Sequence, residues 1–453
     1  MALKNELSKE EFVAIFENSK SKSFAEENFI NLAANNLKKY NLPTKADEEW
    51  KHTSIRKILQ HKYFIGENLD LDKNQVNLFT IPGLNAYRLV FINGFYSKQF
   101  SDEILNNKGL IIKNIADAKK SNPELINKYF ENTDISSENF FTSVNTAFSF
   151  DGSFISIPNN LALDKPIHII NFSDGNNKKT ISQYRNLIIA GKNSNVQIVN
   201  SFHSLTVNYT LTNISTEIIL EENANLNFNI FQGEGDDAFQ INSTKVNQEK
   251  NSNFSSHTIT LCGSIVRNDL KIEHKAENCE TNLFGLYLPD REQHFDNNIF
   301  INHAKPHGTS NQIYKGIIDN KASAVFLGKV FVGKGAQKTI ADQTNRNILL
   351  TQYAKVNSKP QLEIYADDVS CSHGSTTGQI DKEALFYLQS RGINRRRAEV
   401  LLLGAFISDV IDAIKVEPLK IFVNILVNNR LNGEKVDGQC AMVSGCPGCD
   451  NIE

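Results

Sequence analysis

The chain has 453 residues, of which 40% are hydrophobic and 22% are charged, and its formal net charge is −3 at pH 7. This length supports a large core in about two or three domains, and the composition is ordinary for a globular protein. The charge excludes the class of nucleic-acid-binding proteins that depend on a strongly basic face. The most apolar run, 400–414, is too short to span a bilayer, and residues 1–11 lack the apolar core of a signal peptide. We therefore expect a cytoplasmic protein whose partners include neither a membrane nor a nucleic acid.

Residues 1–145 are predicted to form a helical and α/β region. Ser8 and Ser23 each begin a capping box, in which a glutamate three residues later completes the start of a helix. The only tryptophan, Trp50, is predicted to be a buried anchor, because large aromatic rings supply much of the apolar area of a core. The elements predicted here are a helix over 9–19, a longer helix from 23 to 40, a strand over 87–96 with a turn at Asn93 and Gly94, and helices near 113–120 and 123–131.

Residues 146–378 are predicted to form a right-handed parallel β-helix, which makes the protein mainly β. Polar turns that feed alternating apolar strands recur about every 27 to 30 residues, and such self-similarity indicates a solenoid. Three short strands per coil are expected at this period, and the longer interval between Glu280 and Ala322 predicts an insertion around 290–310. The rival β-sandwich needs more hairpin turns than the Asn-Gly and Asp-Gly pairs here provide. The repeated turns begin at Asn193, Asn223, Asn251 and, more loosely, Asn278.

Apolar side chains alternate along a predicted strand over 360–366, which is followed by Cys371 and His373 and then broken at Gly374. Side chains repeat every second residue, so this thiol and this imidazole share one face at the strand end. Both groups bind soft metals, but two ligands do not close a four-ligand site. The pair therefore needs ligands from another chain or from a transiently bound cluster. Alternatively, Cys371 packs inside the last coil and His373 bonds to a local carbonyl group.

Residues 379–433 are predicted to form a C-terminal helical domain with three short amphipathic helices. Asp381 and Asn394 are predicted N-caps, Gly392 ends the first helix and Pro418 begins the third. Helices at the end of a solenoid can cap it and can present a surface to a partner protein.

Residues 434–453 form a tail of small residues with three thiols in a C-x₅-C-x₂-C arrangement. Three thiolates can meet around one metal, but a four-thiolate site needs one more ligand, and the alternative is a disordered tail with reactive thiols. The six cysteines are too few for a disulfide framework. Cys262 and Cys279 lie in apolar-alternating segments and are predicted to be buried free thiols. The thiols of the tail, which we treat as tentative metal ligands, are Cys440, Cys446 and Cys449.

Neither of the common phosphate-binding loop motifs occurs, so energy for an ATP-driven step has to come from another protein. Asp367 and Asp368 form the one obvious acidic pair and could bind a hard cation. A carboxylate pair in a strand-to-turn transition is more typical of local hydrogen bonding within the turn.

Several segments resemble one family, the SufB/SufD family of iron–sulfur cluster assembly proteins, on its SufD side. The resemblance covers nearly all of the chain. The segments that carry it are Glu49 to Thr53, Tyr314 to Ile317, Phe326 to Lys329, Ala336 to Thr339, Leu362 to Val369, Cys371 to Gly374, Gly378 to Asp381 and Ala384 to Ile393.

The resemblance implies a β-helical, non-enzymatic subunit that pairs with a SufB-like subunit and, through its C-terminal helices, with a SufC-like ABC-type ATPase. It also implies that Cys371 and His373 lie at a subunit interface where iron or a nascent cluster binds transiently, with no stably bound cofactor. SufB has a Glu-His-Glu sequence in place of Cys371 to Gly374, and a cysteine where this chain reads Gln352 to Lys355. We therefore expect a helper rather than an independent scaffold. Pairing with a second copy stays open, and the resemblance does not extend to the tail cysteines.

Two other functions are compatible with a β-helix. A polysaccharide-active enzyme needs at least two acidic side chains that converge on the solenoid groove, and only the pair at Asp367 and Asp368 is clustered in sequence. A purely structural adaptor leaves the metal site to its partner, and predicts that substitutions at Cys371 and His373 have no effect while the complex assembles.

Overall fold

The computed structural model describes residues 6–17, 33–69, 71–103, 109–130, 139–174, 178–206 and 208–434. The described helices are α1 Lys9–Glu17, α2 Arg56–Leu59, α3 Lys73–Asn77, α4 Ile115–Ser121, α5 Pro123–Phe130, α6 Phe140–Phe148, α7 Lys382–Ser390, α8 Arg395–Asp412 and α9 Glu417–Leu431, with a 3₁₀ turn at Glu48–Trp50. The strands are β1 Phe64–Ile65, β2 Tyr87–Ile92, β3 Phe95–Tyr96, β4 Ile111–Asn114, β5 Ser153–Ile157, β6 Ile167–Ser173, β7 Thr180–Ala190, β8 Asn195–Ser204, β9 Thr210–Leu220, β10 Asn225–Gly233, β11 Phe239–Gln248, β12 Asn253–Thr260, β13 Ile265–His274, β14 Glu280–Tyr287, β15 His294–His303, β16 Thr309–Ile318, β17 Ser323–Val332, β18 Ile340–Leu349, β19 Lys355–Ile364 and β20 Ser370–Gly378.

The protein is mainly β, and its strands wind into a parallel β-helix of about seven turns. From β5 onwards, odd-numbered strands pair in one ten-stranded sheet and even-numbered strands pair in another. We call these the odd sheet and the even sheet. The parallel β-helix is confirmed, but the prediction of three short strands per coil was wrong. Each coil has two longer strands, such as β15 and β16 with 10 residues each, and these strands with their corners fill the period seen in the sequence.

A ladder of asparagine side chains lies at the corner where each odd strand passes to the next even strand. Each amide donates to the amide oxygen of the asparagine one coil earlier. These donor–acceptor distances are 2.7 Å from Asn193 to Asn160, 2.8 Å from Asn223 to Asn193, 2.9 Å from Asn251 to Asn223 and 3.0 Å from Asn278 to Asn251. All five residues have positive φ, which asparagine tolerates better than most residues. The repeat in the sequence is therefore a continuous hydrogen-bonded ladder that fixes the register of the coils.

The backbone of this corner continues in the same conformation at His307 and Lys338, each with φ of 61°. Between Glu280 and Ala322 the chain forms the regular strands β14, β15 and β16, so the predicted insertion around 290–310 was wrong. The interval appeared long because His307 takes the place of asparagine at the corner within it. The signal in the sequence was lost although the fold did not change.

Several predicted elements of the N-terminal region are present. The β2–β3 hairpin turns at Asn93 and Gly94, both with positive φ, and α1, α4 and α5 lie where helices were predicted. The helix predicted from 23 to 40 falls partly outside the described residues, of which 33–37 are helical. Helix α6 was not predicted, because its phenylalanine, threonine and valine residues are typical of strands. Its start is fixed by Asn139, whose side chain accepts a hydrogen bond from the Thr142 N–H.

Strands of the N-terminal region also extend the two sheets. Strand β2 pairs in parallel with β6, and β4 pairs antiparallel with β5. The first strands of the β-helix therefore come from sequence before residue 145. The division of the chain into domains at 145, 378 and 433 stays a prediction.

The side chain of Trp50 fixes the N-terminal region to the odd sheet. It is 5% exposed, its ring lies 5.7 Å from the ring of Phe141, and the guanidinium carbon of Arg267 lies 3.8 Å from its ring centre. Arg267 is itself fully buried and donates to Asp296 at 2.5 Å, and Thr53 Oγ1 donates to the same carboxylate at 2.5 Å. The prediction that Trp50 is a buried anchor is confirmed.

The three C-terminal helices begin as predicted. The Asp381 carboxylate accepts hydrogen bonds from two N–H groups of the first turn of α7, and Asn394 accepts one from the Arg397 N–H of α8. Gly392, with φ of 84°, separates these helices. Helices α8 and α9 pack on the outer face of the even sheet through a shared apolar cluster. Among the described residues, no helix has the length and apolar character of a membrane span.

Candidate functional site

Cys371 and His373 lie at the beginning of β20, the last strand of the even sheet. The corner at residues 365–369 separates them from β19, so the prediction that they end the preceding strand was wrong. Gly374 lies within β20 and does not break the strand. The turn signal in this corner is the acidic pair at Asp367 and Asp368, because the corner contains neither glycine nor asparagine.

The side chains of Cys371 and His373 belong to the inward face of the last coil. Cys371 pairs in register with Ala341 and His373 pairs with Gln343, and these two partners are each 1% exposed. Alternation along β20 places the thiol and the imidazole on the same face, as their spacing predicted. Strands β19 and β20 end their sheets, so the pair lies at the open end of the β-helix.

The two candidate ligands have different surroundings. Cys371 is half-buried and packs on an apolar cluster that includes Val330 and Val332 of β17, whereas His373 is exposed. Burial raises the pKa of the Cys371 thiol above its ordinary value. The group is therefore a protonated thiol at neutral pH, and it has to lose its proton when it binds a metal.

Hydroxyl groups line the open end beside this pair. Ser375 donates to Ser358 at 2.8 Å, and Ser358 donates to the amide oxygen of Asn345 at 2.7 Å. Within the part of the chain that the structure describes, no three histidine, cysteine or acidic side chains converge to hold a metal ion. Among the described residues, Cys371 and His373 are thus an incomplete ligand set.

The other predicted ligands and thiols lie elsewhere. Cys440, Cys446 and Cys449 fall outside the described residues, so their metal role stays a prediction. Cys262 and Cys279 are buried free thiols, as predicted. Burial raises the pKa of the Cys279 thiol to about 11.

The acidic pair at Asp367 and Asp368 lies in the corner between β19 and β20. Asp368 forms an ion pair with Lys338, and its carbonyl oxygen accepts a hydrogen bond of 2.6 Å from the Lys338 N–H. The Asp368 N–H in turn donates to Gln337 at 2.9 Å. These contacts join neighbouring coils at the corner. They are not the local hydrogen bonds within the turn that the sequence favoured.

The C-terminal helices carry an apolar surface that was not singled out from the sequence. Helix α7 buries none of its residues, and its Phe386 and Tyr387 are 72% and 57% exposed. Leu401 of α8 is 48% exposed. We call Phe386, Tyr387 and Leu401 the apolar helix surface. The sequence does contain a signal for this surface. Apolar side chains lie around most of the circumference of α7, whereas a helix that packs through one face needs them on that face alone.

We predict that alkylation distinguishes Cys371 from the two buried thiols. At pH 7 Cys371 is expected to react with iodoacetamide more slowly than a free cysteine, because its raised pKa reduces the thiolate fraction, and its rate should increase as the pH is raised above the ordinary pKa of a cysteine. Cys279, with a pKa of about 11, should stay unmodified in the folded protein. Mass spectrometry of the labelled peptides measures each rate. Equal labelling of Cys371 and Cys279 would contradict the open site.

Fold and site together define a parallel β-helical protein with a thiol and an imidazole at the open end of its last coil. Residues 172–406 match the family profile "SUF system FeS cluster assembly, SufBD core domain", and residues 9–169 match "SufBD protein N-terminal region". The chain therefore belongs to the SufBD family of iron–sulfur cluster assembly proteins, as its sequence indicated.

Individual relatives agree with this assignment. The chain is 33% identical over 399 residues to an iron–sulfur cluster assembly SufBD family protein of Synechocystis sp., covering 86% of this chain and 87% of the relative. It is 28% identical over 394 residues to the iron–sulfur cluster assembly protein SufD of Escherichia coli, covering 86% and 90%. It is 27% identical over 330 residues to SufD of Bacillus subtilis, covering 70% and 72%.

Proposed function

We propose that the chain is the SufD-type subunit of a cytoplasmic SUF complex, a non-catalytic partner of a SufB-like subunit and a SufC-like ABC-type ATPase. Its role is to support iron acquisition and the assembly of a nascent iron–sulfur cluster, which is the cargo of the complex. Support comes from the family membership and from the two SufD relatives named above. The observation that carries the proposal is the metal-capable pair at the open end of the β-helix.

The open end favours completion of the site by a second subunit. Among the described residues, strands β19 and β20 each pair on one side only, so the backbone groups of their other side lie unpaired beside Cys371 and His373. A strand edge of this kind is a template for another chain. A SufB-like subunit docked there would bring further ligands to the thiol and imidazole, which supply two of the donors that a cluster or an iron ion requires.

The apolar helix surface favours docking of the ATPase. A large apolar side chain that the described part of the chain leaves exposed is typical of a binding surface, and aromatic residues often contribute most of the binding energy. Phe386 is the most exposed of these residues, at 72%. We therefore assign this surface to the SufC-like subunit, which would supply the energy of ATP hydrolysis.

The experiment that tests this function is anaerobic co-purification with the SufB-like and SufC-like proteins, followed by iron and sulfide analysis. The wild-type chain should form a stable complex that contains both elements. Phe386→Asp should release the ATPase, with an affinity loss of about 30-fold or more, as expected for a hot-spot residue worth at least about 2 kcal/mol. Asn432→Asp, which adds a charge to the same domain beyond the end of α9, is the matched control and should leave the complex intact. A wild-type chain that binds neither protein, or binds only itself, would refute the proposal.

A further inference from the structure

Lys315 of β16 is buried beneath the C-terminal helices. Its side chain is 8% exposed, and its Nζ donates to the carbonyl oxygen of Phe406 in α8 at 2.6 Å. The same Nζ lies 2.8 Å from the Asp409 carboxylate and 5.0 Å from the centre of the Phe406 ring. One ammonium group therefore contacts a backbone carbonyl, a carboxylate and an aromatic ring of a single helix.

The contact between Lys315 and α8 is directional, whereas the apolar contacts around it are not. Ile313 and Ile317, two residues away on the same face of β16, belong to the apolar cluster that holds α8 on the even sheet. A hydrogen bond with a charged donor is stronger in such surroundings than in water, and it specifies one position of the helix along the strand. Apolar contacts alone tolerate sliding, because they are not directional.

Lys315 also contacts the interior of α8 rather than one of its ends. Phe406 lies well inside the helix Arg395–Asp412, where carbonyl groups normally accept only from the helix backbone. The Asp409 carboxylate that pairs with Lys315 also accepts a hydrogen bond of 2.8 Å from the Val410 N–H. Lys315 is thus held to a carbonyl group and a carboxylate within α8.

From Lys315 a short path leads to the candidate site. Lys315 pairs in register with Arg346 of β18, and Arg346 pairs with Thr376 of β20, the strand that carries Cys371 and His373. Two steps across the even sheet therefore connect α8 to the strand of the candidate ligands. Strands within one hydrogen-bonded sheet move together, since a shift of one strand breaks its ladder with the next.

We propose that Lys315 is a positioning residue that transmits movement of α8 to β20 and thereby sets the exposure of Cys371. This inference rests on the proposed function, in which an ATPase acts on the C-terminal helices. Lys315 thus couples ATP binding and hydrolysis by that partner to the position of β20 at the open end of the β-helix.

The test measures the alkylation rate of Cys371 in the purified complex, with and without ATP, by peptide-resolved mass spectrometry. In the wild type, ATP should change this rate. Lys315→Met should reduce the ATP-induced change by about 2- to 30-fold, the range that coupling energies of 0.5–2 kcal/mol produce. Lys315→Arg, which keeps a charged donor, should restore the response. Lys420→Met removes a lysine that pairs with Asp412 within the helical region at 3.4 Å, and as the matched control it should respond like the wild type.

The outcomes separate this inference from the proposed function. A full ATP response in Lys315→Met, with ATPase activity and complex formation unchanged, overturns the role of Lys315 and leaves the proposed function standing. A wild-type complex whose Cys371 does not respond to ATP overturns both the inference and the ATP-driven part of the proposed function. If Lys315→Met does not fold, Asp409→Asn decides, because that side chain is 52% exposed and its change removes only the ion pair. Loss of the ATP response in Asp409→Asn, with Lys420→Met responding like the wild type, supports the inference. A wild-type response in Asp409→Asn, or equal losses in Asp409→Asn and Lys420→Met, overturns it.

Discussion

Replacing Cys371 with serine and His373 with alanine together is expected to abolish iron and sulfide retention by the assembled complex. The two side chains are the metal-capable donors on the inward face of the open coil. Loss of a group that merely orients a metal ligand costs about 10- to 100-fold in affinity, so loss of two direct ligands should cost at least as much. Iron and sulfide analysis of the anaerobically purified complex measures the effect.

The complex itself should survive this double substitution. His373 is exposed and Cys371 is half-buried, so neither change removes much of the core. Ser370→Ala is the matched control, because it alters the neighbouring position of β20 on the opposite face and should leave the cluster in place. A double variant that assembles and keeps its full iron and sulfide content would assign the chemistry to the partner and leave this chain a structural adaptor.

Asp296→Ala is expected to lower the apparent free energy of unfolding by at least about 2 kcal/mol. Arg267 is fully buried and donates to Asp296, which is also fully buried, at 2.5 Å. Removing Asp296 leaves Arg267 with Asp269 as its remaining carboxylate partner, at 2.7 Å, and deprives Thr53 of its hydrogen-bond acceptor. Urea denaturation followed by tryptophan fluorescence is a direct measurement, since Trp50 stacks on Arg267.

A surface pair of the same residue types provides the control. Arg291 and Asp236 also lie 2.5 Å apart, but their side chains are 45% and 42% exposed. Asp236→Ala should therefore cost no more than about 1 kcal/mol. Equal destabilisation by the two alanine substitutions would mean that burial of Arg267 does not decide how strongly its ion pair with Asp296 stabilises the fold.

The sequence predicted the fold where local chemistry repeats. Asparagine at successive corners revealed the solenoid, because few other residues adopt positive φ at low cost. The same reasoning failed at His307 and Lys338, which adopt that conformation without the usual residue type. The number of strands per coil could not be predicted either, because the spacing of the repeated turns gives the length of a coil but not the number of corners within it.

The candidate site was predictable in identity but not in placement. The two-residue spacing of Cys371 and His373 correctly placed them on one face of a strand. Cys371 is half-buried because it packs on side chains of β17, and His373 is exposed because no further described strand lies beyond β20. Both causes involve the packing of strands, so the local sequence pattern does not indicate them. The contact of Lys315 with Phe406 spans 91 residues of sequence, so no motif or period indicates it.

The two ends of the solenoid are unlike, and this limits the stoichiometry of assembly. At one end the sheets finish in the short antiparallel strands β3 and β4, whereas at the other they finish in the long parallel strands β19 and β20. Among the described residues, only the second end offers a long edge for stacking, so the chain has one site for association of this kind. Two such solenoids joined at these edges terminate each other, so association ends with a pair and does not continue into a fibre.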